Sequence, residues 1–264
     1  MGAEHDLLLM CVSRLGSRLD RNEYLSLRQW WEKNRVRWKA LTEVLLSHAE
    51  YNWESIIIDH QAHRHPWYEQ LATEASLRDC ATFFLENSVL PSFISMVERT
   101  LDVQICDEGQ QAIRRNLADE QVPVSHADLM QRLIHALKKK AGDDLKLETY
   151  SSLLDRTLIF HYGYFVDPWH LVGLLFATEV MANHRLSHIK RGLERLGFDE
   201  YEIEFINIQL TCDKHHTRGW REGVILPSTR LSPQLRKPIA EGIAACLVTS
   251  ASYLDEKQYA VCMQ

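Results

Sequence analysis

Glycine and proline are scarce in this sequence, with 11 Gly and 7 Pro among 264 residues. A β-sandwich or a glycine-looped nucleotide fold uses more of both to punctuate its turns, so neither class fits well. No Gly-rich phosphate loop, no Gly-x-Ser-x-Gly elbow and no Cys-x-x-Cys pair occurs. The usual signatures of nucleotide binding, serine hydrolysis and zinc knuckles are therefore missing. The six cysteines, at 11, 80, 106, 212, 246 and 262, lie far apart. They read as reduced residues of a cytoplasmic protein rather than as a disulfide frame. Excess positive charge is missing too. A formal net charge of -6 argues against a nucleic-acid partner, whose phosphates need a basic surface. The one dense basic run, Lys138-Lys139-Lys140, follows an apolar helical stretch, where a helix C-terminus favours cations. The longest apolar run, around Trp169 to Ala182, contains His170 and Glu179 and is too short to span a bilayer. The opening MGAEHDLLLMCVSRL has early acids and no basic n-region, so no secretory signal is expected. Gly2 begins a myristoylation-like string in which Asp6 replaces the required Ser or Thr.

What remains is a chain with 45% hydrophobic and 25% charged residues, the balance of a folded globular protein, and an unusual 13 His. Apolar positions recur at helical spacing through residues 22–62, including Trp30, Trp31, Trp38, Val44, Leu45, Ile56 and Ile57. His65-Pro66 breaks that pattern. A helix is expected from about Ser76 to Arg99, with a kink near 87–91 imposed by Pro91. Further helices are expected over about 107–120, ended by Val122-Pro123-Val124, and over 125–140, capped by Ser125. The second half predicts helices over 149–160, over 167–197 opened by Asp167-Pro168, over 199–223 ending before Pro227, and from Ser232-Pro233 to about Tyr253. No strand series is expected. With no internal repeat or linker, the reading is all-α: a single helical domain over 1–264. Its core bundle covers about 65–255, and the helices of 1–64 pack on it.

Several residues could carry chemistry. Asp213-x-x-His216 is an i, i+3 pair, which points a carboxylate and an imidazole to one face of a helix. Such pairs build carboxylate-bridged metal sites in helical bundles. Glu86 sits beside the apolar stripe of Phe83-Phe84-Leu85. Glu179 sits in Leu174-Leu-Phe-Ala-Thr-Glu-Val-Met, the most hydrophobic segment of the chain. A carboxylate there costs several kcal/mol unless it is paired or metal-bound. Glu120 closes one helix and His126 opens the next.

As an ordered set, Glu86, Asn116-Leu-Ala-Asp-Glu120, His126, Glu179 and Asp213-x-x-His216 resemble the haem-oxygenase-like di-iron oxidases and oxygenases. Glu86 precedes Glu120 by 34 residues and Glu179 precedes Asp213 by 34, as two equivalent helix pairs would require. His65-Pro66-x-x-x-x-Leu71 also looks like the opening of the family's first core helix. The resemblance covers about residues 65–225. It implies two Fe(II) per chain and O2 as co-substrate. Glu86, Glu120 and His126 would lie on the first iron and Asp213 and His216 on the second, with Glu179 bridging or binding the second. Hard oxygen and borderline nitrogen donors suit Fe(II) or Mn(II). Where many members carry a further His, this sequence has Gln209, which implies a ligand-poor, weaker second site. Gln209 and His215 would then stand behind the ligands, and Trp220 and Arg221 would touch substrate, Arg221 as a carboxylate clamp.

The implied activity is oxidation of a small, amino-acid-like substrate in specialised metabolite biosynthesis. N-oxygenation, desaturation, oxidative decarboxylation or C–C cleavage would each fit. An external electron donor and a homodimer are the partners expected. Two alternatives stand beside it. One is a metal-free enzyme on the same scaffold, of the quinone-cofactor-biosynthesis or thiaminase type, with Cys212 as nucleophile. The other is a non-enzymatic helical binding protein whose acids pair with Arg114, Arg115, Arg185 or Arg221. The local groups His60, His63, His65 and His184, His188 are expected to be solvated, as are most other histidines.

Overall fold

The structure is a computed structural model that describes residues 19–88, 90–103, 105–121, 124–142, 145 and 151–262. The N-terminal stretch through Asp6 and Cys11, the Val122-Pro123 break and Thr149 lie outside the described residues, as do the side chains of 90–92, 213, 214, 261 and 262. Among the described residues the chain is helical, with no strand.

The expected helical region over 22–62 is three helices, α1 (Arg21–Asn34), α2 (Lys39–Ser47) and α3 (Trp53–Asp59), separated by 3-10 turns at Arg35–Arg37 and Glu50–Asn52. Asp20 and Glu23 form a reciprocal capping box that starts α1. His65 ends this segment and caps α4 (Pro66–Thr73), with Pro66 at its first position. The single kinked helix expected over 76–99 is instead two, α5 (Leu77–Glu86) and α6 (Leu90–Arg99). Asn87 stops α5 by donating its Nδ2 to the Phe83 carbonyl at 2.7 Å. Pro91 then falls in the first turn of α6, where its missing N–H leaves no bond unmade. Glu86 is thereby a helix-terminal residue.

Helices α7 (Asp107–Asp119) and α8 (His126–Ala141) lie where periodicity predicts them, and Ser125 caps α8. Helix α9 (Ser151–Phe165) continues past Phe160 and takes His161-Tyr-Gly-Tyr into its last turns. Asp167 caps α10 (Pro168–Arg195), and Gly197, at φ +79°, turns the chain out of it. Helix α11 (Glu204–Gly219) passes into a π-helical turn at Trp220–Ile225 and then α12 (Leu226–Leu231). Pro227 does not end this run, because it stands in the first turn of α12. The last helix, α13 (Arg236–Cys262), extends beyond Tyr253. No helix among the described residues is long and apolar enough to cross a membrane.

Helix α10 is the hub, lying against α4, α9, α11 and α13. Where it crosses α13 the backbones nearly touch. A Cβ on Gly173 would stand 2.0 Å from the Ile239 carbonyl oxygen, and one on Gly242 would stand 2.2 Å from that of His170. The buried Trp31, Trp38 and Trp53 join the same apolar cluster, with Trp31 stacked on Tyr162 at 4.1 Å. Gly173→Ala and Gly242→Ala should each destabilise the fold by at least about 1–3 kcal/mol, because backbone must move to admit the methyl group. Gly219→Ala, whose new Cβ would meet only Ala112 Cβ at 3.8 Å, should not. Urea-unfolding midpoints test this, and unchanged midpoints for the first two would show that the close crossing is not needed.

Candidate metal centre

Five helices carry the predicted acids and imidazoles. Glu179 stands mid-way along α10, buried, where the surrounding Leu and Phe residues pull the whole helix face into the core. Asn116 of α7 donates its Nδ2 to Glu179 Oε1 at 3.1 Å. His216 of α11 brings its Nδ1 within 3.7 Å of Glu179 Oε2, and its Nε2 meets Asp119 Oδ2 at 3.2 Å. Burial pulls the His216 pKa down, but the hydrogen bond and charge of Glu179, with Glu120 and Asp119 behind, raise it to about 9.

Glu120 and His126 form the second pair. Glu120 caps the C-terminus of α7 and His126 is the first residue of α8, and the His126 backbone N–H donates to the Glu120 carbonyl at 3.0 Å. Their side chains meet at 3.0 Å between Nδ1 and Oε2, with exposures of 0% and 3%. Gln209 Nε2 lies 3.1 Å from His126 Nδ1 and donates to both Glu120 oxygens at 3.4 and 3.5 Å. His126 Nε2 is buried and has no hydrogen-bond partner among the described residues.

Glu86 lies on the wall of the same cavity as Glu120, Glu179 and Gln209, but in a different electrostatic state. The buried Lys257 stands 3.1 Å from Glu86 Oε2, and Tyr253 donates its hydroxyl to the same oxygen at 2.5 Å. Asp213 lies on α11, and its side chain is outside the described residues. Among the described residues, no three His, Cys, Asp or Glu side chains already converge on one metal position. They hydrogen-bond one another in pairs instead.

Other expectations resolve differently. His215 is exposed. Trp220 is buried in the apolar cluster with Trp53, Ile113 and Val224 rather than at the cavity. Seven residues carry it about 10 Å along the axis past Asp213. Arg221 is held by Glu54 at 2.5 Å and Glu222 at 3.0 Å, away from the acid cluster. Among the described residues, neither Glu120 nor Glu179 hydrogen-bonds or ion-pairs with an arginine. Cys212 does not line the cavity.

Not all of the other histidines are solvated. His65, His161 and His170 are buried with His126 and His216, and His170 is held by Asp167 and Glu241 at 2.9 Å each. His63 stacks on His184 at 4.5 Å, and His184 lies 4.3 Å from His188, a cluster that local spacing could not reveal. The sequence gives Tyr253 and Lys257 no role, and Asn116 and Asp119 enter only as part of the stretch ending at Glu120. A Lys in the apolar C-terminal helix, and an Asn four residues before Glu120, were the signals available.

The donors fit iron. Two buried carboxylate–imidazole pairs, with a buried imidazole nitrogen that has no partner among the described residues, match the hard and borderline ligands Fe(II) takes. An all-α bundle with such pairs between its central helices is the arrangement in which helical proteins build carboxylate-rich metal sites. A family profile described as iron-containing redox enzyme matches residues 91–250. The chain belongs to that family, with its haem-oxygenase-like helical bundle. The match takes in Glu120, His126, Glu179, Asp213 and His216 and begins after Glu86. No curated protein matches the chain.

Two predictions follow from these charges. Lys257→Met should destabilise the protein by about 3–5 kcal/mol, because the buried Glu86 carboxylate loses the ammonium beside it. Glu86→Gln/Lys257→Met should recover most of that loss, measured by chemical denaturation. If the double variant is no better than the single, the pair is not what holds Lys257. His63 is pushed down to about 4 by burial, then by His184, Arg64 and His188, with Asp59 opposing. The unfolded chain takes up that proton near the ordinary pKa of about 6.5. Stability is therefore full above about 6.5 and falls as pH drops toward about 4. From about pH 7 to about pH 4.5 the wild-type urea midpoint should fall further than that of His63→Gln. Parallel falls would mean that His63 does not titrate this way.

Proposed function

We propose that this member of the iron-containing redox family is an O2-dependent non-haem di-iron oxidase or oxygenase. It acts in the cytoplasm on a small organic substrate in specialised metabolite biosynthesis, with an external electron donor. The observation that carries this reading is the placement of two buried carboxylate–imidazole pairs, Glu120–His126 and Glu179–His216, beside one cavity.

Glu120 and His126, with Glu86, would hold one iron; Asp213 and His216 would hold the other, with Glu179 between them. A bound Fe(II) pair supplies the two electrons that activate O2. The protein does the rest. Asn116 fixes the Glu179 carboxylate, and Gln209 donates to Glu120 while remaining a poor iron ligand itself. Gln209 thus stands at the Glu120–His126 pair of the first site, and not at the second site where the resemblance put it. Apolar walls that include Phe84, Phe93, Met96 and Phe205 limit water at the acids. Lys257 holds Glu86 through its ammonium, so loading the first site requires that ion pair to open. The amino-acid-like substrate expected from Arg221 and Trp220 loses its support, because neither residue lines this cavity.

The test is anaerobic Fe(II) titration followed by mixing with O2. About two irons per chain and a transient visible absorption are expected. Glu120→Ala and Glu179→Ala should each lose iron and absorption. Iron uptake no greater than in these variants would overturn the proposal.

A further inference from the structure

Histidines 63, 184 and 188 take no part in the iron centre, yet the fold brings them together. His184 and His188 stand one turn apart on α10, and their rings lie 4.3 Å from each other. His63 comes from the segment before α4 and stacks on His184 at 4.5 Å. His63 and His184 line a second cavity, of about 490 Å3, on a different face of α10 from the cavity beside the acids. Glu69 of α4 completes the group. Arg191 holds both of its carboxylate oxygens, and Oε2 lies 3.3 Å from His188 Nε2.

The hydrogen bonds leave these imidazoles short of partners. His188 Nδ1 meets the His184 carbonyl oxygen at 2.9 Å, and a carbonyl can only accept, so a proton sits on Nδ1. In the neutral ring Nε2 is then a lone pair, and it faces a carboxylate. Two acceptors so placed call for a cation between them. Two ligands of a tetrahedral zinc at ordinary bond lengths stand about 3.3–3.5 Å apart, the spacing found here. His63 Nδ1 is buried with no hydrogen-bond partner among the described residues. No described residue hydrogen-bonds either ring nitrogen of His184. Burial first, and then neighbouring positive charge, hold the His63 and His184 pKa values low, so both rings are neutral and free to ligate at pH 7. The arginines nearby are already paired, Arg64 with Asp59, Arg218 with Glu222 and Arg221 with Glu54.

We propose that His63, His184, His188 and Glu69 form a zinc site, separate from the iron centre, that ties α4 and the segment before it to α10. Three imidazoles and one carboxylate suit a tetrahedral divalent ion of zinc's class. The described side chains do not surround one point. Binding therefore turns the His63 and His184 nitrogens toward the gap between His188 and Glu69.

None of these four residues is assigned to iron, so the site does not depend on the di-iron reading. Zn(II) is titrated calorimetrically into the full chain carrying Glu120→Ala/Glu179→Ala, in which the iron centre is disabled. One zinc per chain should bind, and it should raise the thermal midpoint, because the ion binds the folded chain. In that background His184→Gln and His188→Gln should each weaken zinc by at least about tenfold, and His63→Gln and Glu69→Gln should weaken it too. If the iron-site double variant does not fold, the wild-type chain serves instead. There His184→Gln should remove one zinc per chain and leave Fe(II) uptake unchanged. Zinc affinity insensitive to His184→Gln and His188→Gln, or an Fe(II) loss that matches the zinc loss, would overturn the inference. So would the lack of any zinc uptake, which would leave a proton as the cation between His188 and Glu69.

Discussion

A carboxylate in the apolar middle of a core helix must be met by partners, and the arrangement around Glu179 follows from that constraint. Helix α10 is held deep in the bundle because its backbone rests against α13 at Gly173 and Gly242. That depth puts Glu179 out of reach of water. The partners must then come from neighbouring helices: Asn116 from α7 and His216 from α11. Asp119 and Glu120, at the end of α7, draw His216 and His126 into the same region. The charged centre and the close crossing of two long helices are one problem in packing, solved together.

The sequence made the helices legible wherever an end is marked by chemistry the chain itself carries. Ser125, Asp167-Pro168 and His65-Pro66 all start helices where expected, because a side-chain oxygen or nitrogen and a fixed proline φ act locally. It was less legible where a local marker has two outcomes. Pro91 permits a kink or a fresh start, and Asn87 decides for the latter by turning back on Phe83. Pro227 permits a stop or a first turn, and the π-helical turn before it allows the run to go on.

The candidate site divides the same way. Glu120, His126, Glu179 and His216 could be picked out because burial of ionisable groups in apolar segments leaves a trace in the sequence. Their pairing with Asn116 and Asp119 could be glimpsed from helical spacing. What stayed hidden depends on elements distant in sequence. Lys257 reaches Glu86 across a sequence separation of 171, and His63 meets His184 only because the segment before α4 lies against α10. Arg221 shows the converse: its position near the ligands in sequence suggested substrate, but Glu54 of α3 takes it.

The two acid–imidazole pairs differ greatly in how much chain each must close. Glu120 and His126 are 6 residues apart, bridging a single short connection, whereas Glu179 and His216 are 37 apart (216 minus 179) and join two long helices. Loop-closure entropy makes the longer closure about 1.6 kcal/mol more costly in an otherwise disordered chain. The Glu120–His126 half is thus nearly local and can form while much of the bundle is still loose. The Glu179–His216 half exists only once α10 and α11 have docked, which makes it the half that reports on completed folding.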